Sequence, residues 1–136
     1  DGASAHWEFP LPNALIRVLG NESLEHGEQI RFRIVRHADK VVAGGVFLHH
    51  NHYVSYFLSA FDRHWGPFCP MNLLLKGEIQ YACLRGRQVF DFGASLGIES
   101  VLKFKSSFGA EPVPRTRVVI RNRLWRALMS WRKTGV

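Results

Sequence analysis

Three apolar-rich segments follow one another with connections too short for anything but hairpins, and this limits the fold more than any other feature. Residues 29–35 (QIRFRIV) alternate Ile30, Phe32 and Ile34 with Arg31 and Arg33, the period-2 pattern of a strand in a sheet with one wet face. Ala38-Asp39-Lys40 supplies a turn. Residues 41–49 (VVAGGVFLH) then read as a second strand, whose Gly44-Gly45 pair suits a bulge or a close backbone approach. Asn51-His52 turns the chain again, into the aromatic-rich strand 53–61 (YVSYFLSAF). Tight turns make sequential strands antiparallel, so the three form a meander.

The pattern then changes. Residues 62–70 (DRHWGPFCP) read as a loop. Residues 71–85 read as a helix with Met71, Leu74, Leu75, Ile79, Ala82 and Cys83 on one side and Gly86 as its stop. A short strand, 88–92 (QVFDF), leads to the turn Gly93-Ala94-Ser95 and a helix over 98–108 that Gly109 ends. Beyond Pro112 and Pro114 come a strand at 116–120 (TRVVI) and a helix at 122–133. Ahead of the meander, residues 10–20 suggest a short helix capped by Asn13 and ended by Gly20, followed by a polar turn at 21–27. The order α-β-β-β-α-β-α-β-α implies an α/β (α+β) domain. Its mixed sheet consists of an antiparallel meander followed by a β-α-β crossover, with helices on both faces.

With 136 residues, 46% hydrophobic and 21% charged, the chain has room for one domain with a real core. No apolar run reaches the roughly 18–20 residues that span a bilayer, and the first residues lack the basic and apolar regions of a signal peptide. The chain starts at Asp1 rather than Met, as a processed or excised chain would. Two cysteines, Cys69 and Cys83, do not make a disulfide framework, and reduced thiols suit a cytoplasmic location. The formal charge is +7, and from Arg115 onward seven basic residues meet no acid. That excess favours an anionic partner: nucleic acid such as tRNA, a phosphorylated cofactor, or the anionic inner face of a membrane. The basic segment 121–136 also carries Trp125 and Trp131, which suits a membrane surface. A non-catalytic basic module is therefore one functional reading.

Most motifs that would name a chemistry are missing. Asp91-Phe92-Gly93 resembles a kinase magnesium motif, but no phosphate loop, strand lysine or catalytic loop accompanies it. Its plainer reading is a carboxylate at a strand end that binds the amides of the following turn. His49, His50 and His52 cluster at a hairpin, with His37, Asp39 and His64 as the other available ligands, but the spacing is not that of a zinc site and no metal is expected. No nucleophile elbow surrounds Ser95, and no glycine-rich phosphate loop is present. Gly93-Ala94-Ser95 is read as opening a helix, and helix N-termini bind anions through free amides; the same holds for the loop before Met71.

In combination these residues carry a resemblance. Ala60-Phe61-Asp62 follows the third meander strand, Asn72-Leu73-Leu74-Leu75 opens a helix, Asp91-Phe92-Gly93 ends a strand, and Phe104-Lys105-Ser106-Ser107-Phe108-Gly109 closes the next helix. In this order, over residues 41–114, they resemble the FemAB-like branch of the GNAT superfamily of N-acyltransferases, a bacterial-type group. The resemblance implies attack of an amine on an activated acyl group, with acyl-CoA or aminoacyl-tRNA as the anionic donor. By the same resemblance Lys105 is the electrostatic stabiliser and Phe104 positions it. Asp62 and Glu78 are candidates for handling the amine, with loop capping and a solvated helix face as their plainer readings. Gly93, Ala94, Ser95 and Phe61 are candidates for substrate or donor binding. The superfamily's pyrophosphate loop, a basic residue and a glycine-spaced run, is not legible in residues 62–70. A complete domain of this type begins with a strand and helix ahead of the meander. The chain is therefore expected to be its C-terminal part, with a second domain or partner chain completing the site.

Overall fold

The computed structural model describes residues 13–114 and residue 116. The expected strand at 116–120, the helix at 122–133 and their arginines fall outside that range. The chain divides into two compact units, residues 1–99 and 100–136.

The first unit is built on a four-stranded sheet in the order β1-β2-β3-β4, from β1 (Ile30–His37), β2 (Lys40–His50), β3 (Tyr53–Phe61) and β4 (Val89–Asp91). The three long strands are an antiparallel meander, and β4 joins β3 in parallel. The hairpin turns bring Ala38 and Asn51 to positive φ, near 50°. Of the described helices, α1 (Asn13–Glu25) lies against β1, α2 (Pro70–Leu84) packs on β2, β1 and β3, and α3 (Glu99–Ser106) leads into the second unit. The expected mixed α/β architecture is thus present. Among the described residues, no helix is long and apolar enough to cross a membrane.

The core lies between α2 and the middle of the sheet. Phe47, Val54 and Leu75 are fully enclosed, with Met71, Leu74 and Ala82 beside them. Val42 and Val46, which alternate with these inward residues along β2, are buried as well, so both faces of β2 are covered. Gly45 permits the close approach its sequence suggested. A Cβ there would lie 2.9 Å from Leu74 Cδ2 and 3.3 Å from the Leu58 carbonyl, so the absent side chain lets α2 settle on the sheet.

Several local readings are corrected. α1 runs through Gly20 to Glu25, taking in residues expected to turn. A glycine weakens a helix without obliging it to stop. Residues 63–68 form a 3₁₀ helix, η1 (Arg63–Phe68), rather than a loop, with Asp62 as its N-cap. Cys83 is exposed rather than part of the apolar side of α2. The sense of β1 is also reversed. Its alternation is real, but Phe32 and Ile34 are 40% and 57% exposed, while the Arg31 and Arg33 side chains turn towards α2 and are 19% and 33% exposed.

Candidate active site

Two arrangements in the first unit could carry function, a wedge beside β3 and a buried ion cluster beneath α2.

The wedge begins where β3 and β4 part. Their pairing covers Tyr53↔Val89, Val54↔Phe90 and Ser55↔Asp91 and then stops, while β3 continues to Phe61. Crevices beyond the carboxyl ends of parallel strands are where open α/β sheets bind ligands. Two features mark this one. The register between β2 and β3 shifts so that Val46 pairs with Leu58 but Phe47 with Tyr56, which leaves Phe57 as an extra residue. Such a bulge takes backbone groups out of the ladder and turns them outward. The second feature is the start of α2, reached from the end of β3 through η1. Cys69, at φ 50° and ψ 50°, precedes the helix, Pro70 stands in its first turn and no side chain caps it. Pro70 has no amide hydrogen and the Asn72 and Leu73 amides bond the Cys69 carbonyl, so what favours an anion here is the positive end of the helix dipole rather than a cradle of free amides.

Aromatic rings line the wall nearest the core. Phe47 stacks on Tyr56 with centroids 5.4 Å apart, and Phe92 meets Tyr56 edge-on at 6.5 Å and Phe90 at 5.0 Å. The Tyr56 hydroxyl shares a hydrogen bond with Ser59. Burial raises the pKa of the phenol above its ordinary value, against that hydrogen bond, so the phenol stays protonated at neutral pH.

The candidates from sequence distribute unevenly around this wedge. Phe61 and Asp62 stand at the far end of β3. Phe61 is 46% exposed. Asp62 accepts from the His64 amide and from His64 Nδ1, each at 3.0 Å. Those bonds, the backbone one first, hold its carboxyl below the usual range, and the group is a cap that remains ionised. Gly93 has φ +69° and lies beside Tyr56, whose carbonyl would be 3.7 Å from a Cβ; its amide donates to Asp91 at 2.8 Å. Asp91 therefore does what its plainer reading foresaw. Gly93, Ala94 and Ser95 do not open a helix, however. A turn through Leu96 and Gly97, both at positive φ, intervenes and α3 starts at Glu99, so a helix N-terminus cannot be credited to that turn. Phe104 and Lys105 belong to the second unit. Lys105 is buried in the last turn of α3, and Phe104 meets Phe108 with centroids 5.5 Å apart.

Glu78 is in the other arrangement, and its solvated reading is overturned. It is fully buried, and its two carboxylate oxygens are both engaged. Oε1 accepts from Arg31 Nε at 3.0 Å and from His49 Nε2 at 2.7 Å, and Oε2 accepts from Arg33 Nε. Arg31 also lies 3.5 Å over the centre of the Tyr81 ring, a cation–π contact. His49 is thereby set apart from His50, which bonds Asn51 at the surface. Among the described residues, no group of three or more His, Cys, Asp or Glu side chains is placed to hold a metal ion. Burial, opposed by Glu78, keeps His49 below its ordinary pKa, so it is neutral at pH 7 with Nε2 as donor. A carboxylate held by three donors cannot readily swing to a substrate. It ties α2 to β1 and β2. Neither this cluster nor the Phe57 bulge was singled out from sequence. Arg31 and Arg33 at i, i+2 show that the two share a face, but not that this face meets Glu78; a bulge leaves no signature in a run such as YVSYFLSAF.

A family model described as "Acetyltransferase (GNAT) domain" matches residues 3–106. No curated protein and no solved structure matches the chain.

Proposed function

Because the chain belongs to the GNAT acetyltransferase domain family, we propose that it transfers an acyl group from acyl-CoA to an amine, with the wedge between β3 and β4 as the seat of transfer. The observation that carries this reading is the parting of the two parallel strands after Ser55↔Asp91, with the uncapped start of α2 at the far end of β3. The donor's phosphates lie at the first turn of α2. Its acyl arm runs along β3 towards the bulge at Phe57, where backbone amides released from the ladder meet the carbonyl oxygen. A neutral amine then attacks the thioester carbon. The C–N bond forms, the C–S bond breaks, the sulfur leaves as thiolate and takes up a proton, and the amine nitrogen loses one. Holding the two reactants in line supplies much of the acceleration.

Lys105 is assigned the stabilisation of developing negative charge, with Phe104 holding it. This assignment rests on the FemAB-like order of Asp91-Phe92-Gly93 and Phe104-Lys105-Ser106-Ser107-Phe108-Gly109. Phe61 and Gly93 border the donor's path. Asp62, ionised and exposed, attracts an ammonium acceptor to the mouth of the wedge more readily than it deprotonates one. Glu78 acts through α2 and does not touch the amine. Lys105→Ala is expected to lower kcat by roughly 10²–10³ if its role equals that of one oxyanion donor, as measured by release of free CoA thiol with an amine acceptor. Unchanged turnover would remove Lys105 from the reaction. A screen of acyl-CoA for a rise in Tm tests the donor itself, because a ligand of the native state raises its stability.

The FemAB-like order also favours a second donor, aminoacyl-tRNA. The seven cations from Arg115 onward would then contact the nucleic acid.

A further inference from the structure

The surface of η1 presents an unusual row of rings. His37, at the end of β1, lies 4.4 Å from Trp65, and Trp65 lies 5.5 Å from Phe68, centroid to centroid. The row ends in the open, where Phe68 is 75% exposed. Phe61 joins its margin, with its Cε2 3.9 Å from where a Gly66 Cβ would stand. Two exposed aromatic side chains, Phe61 and Phe68, flanking the half-buried Trp65 within eight residues, are expensive to leave in water unless something covers them. The surroundings are basic. Arg63 and His64 are exposed on the same 3₁₀ helix, and Lys40 is close enough to Asp62 to help hold its carboxylate ionised. Two residues beyond Phe68, Pro70 begins the first turn of α2.

Resting on the acyl-CoA reading above, we propose that the Trp65–Phe68 row is a stacking platform for the purine base of the donor. The base lies on the open face of Phe68, and its sugar-phosphate is drawn to Arg63 and the start of α2. Every base offers a π-face to an aromatic ring, while the cations answer the phosphates. The short link from Phe68 through Cys69 to Pro70 places base and phosphate sites on adjacent turns of chain, as a single nucleotide requires.

The test compares CoA with pantetheine, which lacks the nucleotide, by calorimetric titration of the whole chain and of Phe68→Ala and Phe68→Trp. Phe68→Ala should weaken CoA on the order of ten-fold, in line with the cost of losing one base stack, and leave pantetheine unchanged. Phe68→Trp should restore or improve CoA binding. Adenosine 3′,5′-bisphosphate should compete with CoA on the parent chain and lose affinity in Phe68→Ala. Equal weakening of CoA and pantetheine, or no weakening of either, overturns the platform and leaves the acyl-CoA reading standing. Failure of the parent chain to bind CoA or pantetheine overturns both. A row that serves membranes instead would show Phe68→Ala losing affinity for phosphatidylglycerol vesicles with CoA binding unaltered, and that too overturns the proposal.

Discussion

Glu78 is the residue on which the first unit depends most. Its carboxylate is out of water, and its stability comes from Arg31, Arg33 and His49. Replacing both sides of such a cluster with apolar groups can be neutral, but removing one partner strands the others. Glu78→Ala is therefore expected to destabilise the fold by about 3–5 kcal/mol, read from the urea midpoint, with Glu78→Gln less damaging because it keeps acceptor capacity. A loss under 1 kcal/mol would show that the arginines find water instead. His49 makes stability depend on pH. Burial lowers its pKa below 6.5 in the native state, so the unfolded chain takes up a proton that the native state refuses as pH falls through that value. Stability is then lost from about pH 6.5 downward until the buried imidazole itself titrates. Urea midpoints between neutral and mildly acidic pH should fall accordingly, and less steeply in His49→Gln. Parallel slopes in the two proteins would assign the titration elsewhere.

At the scale of elements, the central fact is how α2 sits on the meander. Leu74 and Leu75 seat one part of the helix against β2, and Glu78 ties down the next turn. Together they set where its first turn points, and hence where the donor's phosphates would be received on the proposed reading. Gly45 is the contact that allows this closeness. Gly45→Ala would drive a methyl to within 2.9 Å of Leu74. Leucine can rotate, but the Leu58 carbonyl and the Phe47 ring at 3.3 Å cannot easily retreat. The expected cost is about 1–3 kcal/mol, the usual range for an overpacked core, together with weaker CoA binding if α2 is displaced. An alanine variant as stable as its parent would mean that the helix shifts freely.

For the molecule as a whole, charge is the dominant sequence-level property. An excess of seven positive charges in 136 residues draws on Arg31, Arg33 and Arg36 in β1, on Arg85 and Arg87 just after α2, and on the run that starts at Arg115. In β1, Arg31 and Arg33 share the one carboxylate of Glu78, and beyond α2 Arg85 pairs with Glu28. The run from Arg115 has no acid within it. If it contacts tRNA, binding must weaken steeply with salt, at about one power of salt concentration per phosphate neutralised. Filter binding over a salt series measures that slope. A flat response would end the nucleic-acid reading without touching the acyl-CoA one, because the wedge and the row of η1 are built from other residues.

Local chemistry alone determined a good deal of this protein. Two-residue turns allow only antiparallel neighbours, so the meander was legible, and β3 occupies the span its composition indicated. Met71, Leu74, Leu75 and Ala82 recur at helical spacing, and the helix they predict is α2. The run of marks from Ala60-Phe61-Asp62 to Phe108-Gly109 pointed to the superfamily that the family model matches. Other features needed distant partners. Alternation reports a period of two but not which set faces inward; in β1 the arginines do, because Glu78, 45 and 47 residues away, is buried opposite them. Gly20 and the turn at Gly93 likewise carry no local sign of whether a helix continues or begins. The wedge itself exists only because β3 outlasts its partner and takes in an extra residue at Phe57. Strand divergence is a relation between segments some thirty residues apart, and no window of sequence contains it.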